Sequence, residues 1–127
     1  MIKIDQEMAL LMHQLMAEQT GGSVGVRDEG LLDQALEACM ATFDGKDLYP
    51  TKEEKAAKLG HSLISNHAFI VGNKRIGMHI MLTFLELNGI HISDNVTDAE
   101  IVSLGLGIAS GEKKYEDILS WIRAHEM

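Results

Sequence analysis

His67, Asn73, Lys74 and Arg75 are the residues of this chain best suited, by type and spacing, to chemistry on a phosphate. They fall in one stretch, HAFIVGNKRIG, which reads as a loop running into a helix that begins near Asn73. The first turn of any helix leaves N–H groups without internal partners, and the helix dipole adds positive potential there. Gly72 lets the backbone approach a ligand closely, and Asn73 can cap the helix or bond a phosphate oxygen. Lys74 and Arg75 place two cations at an end where the dipole disfavours them, which makes sense when an anion sits between them. His67 stands across the loop with an imidazole that titrates near neutral pH, suited to act as general base on a hydroxyl. His79 follows Arg75 by one helical turn on the same face, where it either touches a bound phosphate or serves packing. Phe69 is expected to anchor the loop in the core.

Each of these residues also has a plainer reading. A lone histidine is more often a structural or surface residue than a base, and a Lys-Arg pair is usually a solvated one. Other chemistry finds less support. The six histidines are scattered, with no HExxH and no cysteine pair to hold a metal, and GxxxxGK[ST] is absent.

Helices must position this stretch, because the apolar pattern is helical throughout. Met8, Leu11, Met12, Leu15 and Met16 recur at helical spacing after Asp5, and Gly21-Gly22 stops them. The polar loop GGSVGVRDEG leads to a second stripe of Leu31, Leu32, Ala35, Leu36 and Cys39. Thr51-Lys52-Glu53-Glu54 forms a capping box after the single proline and opens a third helix through Ala56, Leu59, Gly60, Leu63 and Ile64. The fourth runs from Asn73 through Ile76, Ile80, Met81, Phe84 and Leu85 to a stop at Asn88-Gly89. Thr97-Asp98-Ala99-Glu100 opens a fifth, closed by Gly111, and Ile118, Leu119, Trp121 and Ile122 mark a sixth. No segment alternates cleanly enough to predict a strand. The eight methionines fall mostly on core stripes and read as packing.

A chain of 127 residues fits one domain spanning positions 1–127, without staples. Its net charge of -8 and pI near 5.1 argue against general nucleic-acid binding, which needs a basic face. The single cysteine, Cys39, permits no internal disulfide and fits a reducing compartment as a buried thiol. The N-terminus lacks the basic-then-apolar pattern of a signal peptide, and the most apolar stretch is interrupted by His79, Glu86 and Asn88, so no membrane span is expected. A cytoplasmic location is the expectation.

The stretch HAFIVGNKR resembles the HxFx[D/N][A/G]NKR motif of the Doc branch of the Fic/Doc family, the "death on curing" toxins. GGSVGVRDEGLLDQAL, IGMHIMLTFLELNGI and LGIASGEKKYEDILSWI resemble other parts of that family, so the likeness covers nearly the whole chain. It implies the compact, all-α, six-helix Fic/Doc-type domain. It also implies a kinase-like toxin of a toxin–antitoxin pair, which transfers the terminal phosphate of ATP to a hydroxyl on a translation factor, elongation factor Tu. The implied cofactors are ATP and Mg²⁺, and the implied restraint is a cognate antitoxin whose C-terminal helix fills a groove. His67 would be the catalytic base. Gly72, Asn73 and Lys74 would hold phosphate. Lys74 and Arg75 would neutralise charge in the transition state, and residues 43–50 would be a flap aligning the target.

The chain departs from the larger Fic branch, whose HPFx[D/E]GNGRxxR motif serves AMP transfer. Lys74 replaces the second glycine and Met78 stands at the second arginine, which argues against an AMP-transferring enzyme. It departs from the whole family at Val71, where the motif acid that helps hold Mg²⁺ is expected. Magnesium needs hard oxygen ligands, and neither Val71 nor its neighbours Ile70 and Ala68 supply a side-chain oxygen. Catalysis by the chain as written is therefore expected to be severely impaired. Val71 reads as a loss-of-function substitution in an otherwise complete motif, with a silent binding module as the alternative.

Overall fold

Short polar side chains start the helices where the sequence places them. The Asp5 carboxylate accepts from the Met8 N–H at 2.9 Å and opens α1 (Gln6–Thr20). Asp28 accepts from the Leu31 N–H at 3.1 Å and opens α2 (Glu29–Ala38). A two-stranded antiparallel hairpin follows, β1 (Thr42–Phe43) and β2 (Lys46–Asp47). Thr51 caps α3 (Lys52–Ser65) by accepting from the Glu54 N–H at 3.1 Å, and α4 (Asn73–Leu87) begins at the expected asparagine. Thr97 caps α5 (Asp98–Ala109) by accepting from the Glu100 N–H at 3.2 Å. In α6 (Tyr115–His125) the Asp117 carboxylate reaches back to the Lys114 N–H at 2.8 Å. Each bond satisfies a backbone donor that the helix geometry leaves without a partner. These elements come from a computed structural model that describes residues 1–20, 28–66 and 73–127.

The fold is all-α in its framework, as the apolar periodicity predicts, with the small hairpin as its departure. The hairpin register pairs Thr42 with Asp47 and Phe43 with Lys46, and the Leu48 N–H extends it by donating to Ala41 O at 2.9 Å. Asp44 and Gly45 form the turn with φ of 54° and 77°. Asp-Gly at two positive-φ positions is the pairing that a tight hairpin with the natural strand twist demands. The strands are too short to alternate visibly, so this dipeptide was their only signal in the sequence.

α3 is the central helix, packed against α4, α6, α2 and α5, while α1 lies on α4 and α2. One apolar cluster runs from Ile4 to Ile122 and has Phe84 fully buried in it. The α3–α4 crossing is tight because each helix contributes a glycine. A Cβ on Gly60 would meet Met81 Sδ at 2.7 Å, and one on Gly77 would meet Ile64 Cγ1 at 2.5 Å. The first neighbour is the flexible end of a methionine. The second is a branched side chain with no exposed surface. Gly77→Ala therefore sets a gain in helix propensity of about 1 kcal/mol against an overpacking penalty of about 1–3 kcal/mol. The expected net result is a destabilised protein, measurable as a lower midpoint in urea.

Asn88 does more than end α4. Buried at the helix C-terminus, it donates to Ile2 O at 2.9 Å and to Phe84 O at 2.8 Å, and accepts from the Ile2 N–H at 2.7 Å. It thus sews the N-terminal segment to α4, while Gly89 turns the chain at φ 84°. The one buried lysine, Lys55, pairs with the Asp47 carboxylate at 3.0 Å and with Tyr49 O, which holds the hairpin to the first turn of α3.

Two histidines give the fold a pH dependence. His13 is 5% exposed and burial pushes its pKa below the ordinary value; burial, and then Lys58 and Lys114, do the same to the half-buried His61. Both are more easily protonated in the unfolded chain. Their contribution to stability is present above the unfolded value of about 6.5 and is lost as pH falls through it toward the folded values. Glu126 works in the opposite sense: burial, and then the Glu53 carboxylate, raise its pKa, so its protonation favours the fold at more acidic pH. The expected outcome is a melting temperature that falls between pH 7.5 and 5.5, with the slope reduced in His61→Gln, as thermal scans across that range will show.

Candidate functional site

The site is built on the first two turns of α4. Lys74 and Arg75 are exposed there, and His79 is exposed one turn beyond Arg75. Between them Ile76, Gly77 and Met78 face inward, and Met78 is 3% exposed. α5 backs this end closely: a Cβ on Gly105 would lie 3.3 Å from Met78 Cγ and 3.7 Å from Lys74 O. The first turn of α4 contains no acidic residue, so nothing on that turn offsets its two cations. Aligned N–H groups, the dipole and a guanidinium beside an ammonium together make an end suited to a phosphate.

Lys74, Arg75 and His79 are all solvent-exposed within the first two turns of α4. Asn73 begins the helix, and its side chain lies outside the described residues. His67, Phe69, Val71 and Gly72 also lie outside them, as does the polar segment 21–27. Asn66, immediately before His67, is described: it caps α3 through its N–H to Ser62 O and donates from its side chain to Leu31 O at 2.8 Å. Nothing in the sequence pattern singles out Asn66, because its partner is far along the chain.

Residues 43–50, expected to be a flap, contain most of the hairpin. Their hairpin is pinned by Lys55, in the first turn of α3, whereas the motif leaves the other end of that helix after Ser65. From Lys55 to Ser65 the helix rises about 15 Å. The anchorage of the hairpin therefore belongs to the first turn of α3. Phe43 is 75% exposed and Leu48 53% exposed on this hairpin.

The metal test is one of donor chemistry. Among the described residues, no group of three or more histidine, cysteine or acidic side chains is placed to hold a metal. In the motif itself, Val71 supplies no side-chain oxygen, which Mg²⁺ would need from it. The described residues therefore do not fit a protein-held Mg²⁺, while the start of α4 carries two exposed cations with no acidic residue in its first turn.

A helical framework and a cationic helix start at the end of HAFIVGNKR are what comparison with known proteins bears on. The model of the Fic/DOC family matches residues 3–85, and the chain belongs to that family. Within that family it is similar to "Toxin Doc" of Mycolicibacterium smegmatis (strain ATCC 700084 / mc(2)155), at 47% identity over 73 residues. That match covers 58% of this chain and 56% of the relative, so the chain spans a little over half the length of the curated protein it matches.

Proposed function

We propose that this chain is the framework of a Doc-type phosphotransferase toxin, a single domain whose catalytic acid is missing at position 71. The observation that carries the reading is the start of α4, where Lys74 and Arg75, the last residues of HAFIVGNKR, are exposed. In the reaction the hydroxyl oxygen of a target protein attacks the terminal phosphorus of ATP. The bond from that phosphorus to the bridging oxygen breaks, ADP leaves, and the hydroxyl proton passes to His67. Asn73 and the N–H groups of Gly72 and Lys74 hold phosphate oxygens, and Lys74 and Arg75 neutralise the charge that spreads over them. His79 borders the same phosphate. Phe69 anchors the loop. With Val71 the loop gives Mg²⁺ no side-chain ligand, so transfer by the chain as written is severely slowed.

The target proposed from the family resemblance is elongation factor Tu, and the restraint is a cognate antitoxin whose C-terminal helix lies in an apolar groove. α1 supports such docking, since Leu11 and Leu15 are 56% and 50% exposed one turn apart. A cytoplasmic setting follows from those partners; no described helix is long and apolar enough to cross a membrane.

AMP transfer is the second reading, and Met78 weighs against it. The position where the Fic branch carries its second arginine faces the core here, so this chain provides no second phosphate clamp from it. ATP labelled on either the α or the γ phosphate separates the two when given to Val71→Asp in a bacterial translation extract. Label from the γ position alone is expected; label from the α position would make the chain an AMP transferase. A silent binding module transfers neither.

A further inference from the structure

Two exposed helix faces are alike in apolar character and opposite in charge. On α5, Val102 and Leu106 are 59% and 52% exposed one turn apart, and Ser103 and Ala109 beside them are exposed as well. The helix carries acidic side chains only in its first turn, at Asp98 and Glu100, and Glu100 lies 3.9 Å from His125. Two glycines bring cations to the borders of this face. A Cβ on Gly105 would lie 3.7 Å from Lys74 Cβ, and one on Gly107 would meet Lys113 Cγ at 2.5 Å. Positions two apart on a helix point about 200° apart, so the two lysines flank the face from opposite sides. Lys113 is fixed there, because its N–H donates to Gly107 O at 2.9 Å.

On α1, exposed Leu11 and Leu15 have exposed Glu7 one turn before them and exposed Glu18 three residues after. These four share one side of the helix, and Gln14 donates to the Glu18 carboxylate at 3.4 Å. The two acids stand about 16 Å apart along the axis. That spans the width of one helix, about 10–12 Å with its side chains, with room for a lysine at each side. α1 packs on α4 and α2, and α5 on α4 and α3, so neither face covers the other within one chain.

We propose that α1 of one copy docks across α5 of another, its leucines on Val102 and Leu106 and its carboxylates on Lys74 and Lys113. A net charge of -8 opposes the approach of two copies, and the local match of signs at this crossing counters it. The two faces differ, so the contact is heterologous and passes from copy to copy unless it closes into a ring. It engages Lys74, and on the phosphotransferase reading above it therefore competes with phosphate at the start of α4; the association itself does not rest on that reading.

Sedimentation equilibrium at concentrations up to about 1 mM, the weak end of the affinity scale, is expected to show a mass that rises above the 14.0 kDa of one copy. Leu15→Asp removes the docking face of α1 and Leu106→Asp the receiving face of α5, and each alone is expected to stay monomeric. Mixed in equal amounts they retain one intact contact, so the mass of two copies and no more is expected. Lys113→Gln, at an exposed position, is expected to weaken association of the otherwise unaltered chain by about two- to fivefold. A monomer at every concentration would overturn the proposal and leave each face to a different protein. Association that survives in either leucine variant, or a mixture that stays monomeric while both variants keep the parent's circular dichroism, would reject the pairing of α1 with α5. If either variant loses that spectrum, Lys113→Gln and Glu18→Gln decide instead: weakened association in both sustains the pairing, and unchanged association rejects it.

Discussion

Val71→Asp is expected to raise phosphate transfer by about a thousandfold or more, the scale on which phosphoryl transfer responds to one charge-neutralising group. The reasoning is one of ligand chemistry. The phosphates of ATP carry charge that a divalent cation bridges, and Mg²⁺ takes oxygen ligands and dehydrates reluctantly. A valine in the loop leaves the cation to the nucleotide and solvent, with nothing to register it against Lys74 and Arg75. An aspartate restores one carboxylate at that point. The gain should depend on Mg²⁺ and disappear in excess chelator. Val71→Asn, of similar size but without the charge, should recover much less. Rates measured against Mg²⁺ concentration for the three chains check this; equal rates for all three would remove the acid from the account.

The second large effect is expected at the start of α4. In Val71→Asp, replacing Arg75 with alanine should lower the transfer rate by about a thousandfold, in the range by which a guanidinium stabilises a phosphoryl transition state. Lys74→Ala should lower it by about a hundredfold, comparable to losing one well-placed donor to developing charge. Arg75→Lys should recover only part of the loss, because an ammonium keeps the charge without the planar fork. Both side chains are exposed, so neither change should move stability by more than about 0.5 kcal/mol. Single-turnover rates beside urea melts separate the two effects. A rate loss that tracks a stability loss would assign these cations to the fold rather than the reaction.

Local signals in the sequence carried much of this architecture. Asp5, Thr51 and Thr97 cap the helices they were expected to cap, and Gly89 turns the chain after α4. These features are readable because a cap and its partner lie within one turn. The interactions that tie the helices together are not readable in that way. Asn66 to Leu31, Asn88 to Ile2 and Lys55 to Asp47 each join separate elements, and no periodicity announces them. The hairpin escaped because its strands are two residues each, although Asp44-Gly45 carried its turn chemistry. At the site, the exposure of Lys74 and Arg75 fits the solvated pair the sequence allowed, while the inward face at Met78, outside the stripe read for α4, did not follow. The anchorage of the hairpin did not follow, since it depends on the burial of Lys55.

The most direct measurement of the central claim sets the chain as written beside Val71→Asp and the double substitution Val71→Asp with His67→Ala. Each is incubated with γ-labelled ATP, Mg²⁺ and a bacterial translation extract, and labelled protein is counted. The account predicts a labelled acceptor with Val71→Asp alone. Equal labelling by the double substitution would contradict His67 as the base. An absence of label in all three would contradict the claim that this chain is a phosphotransferase lacking only its acid.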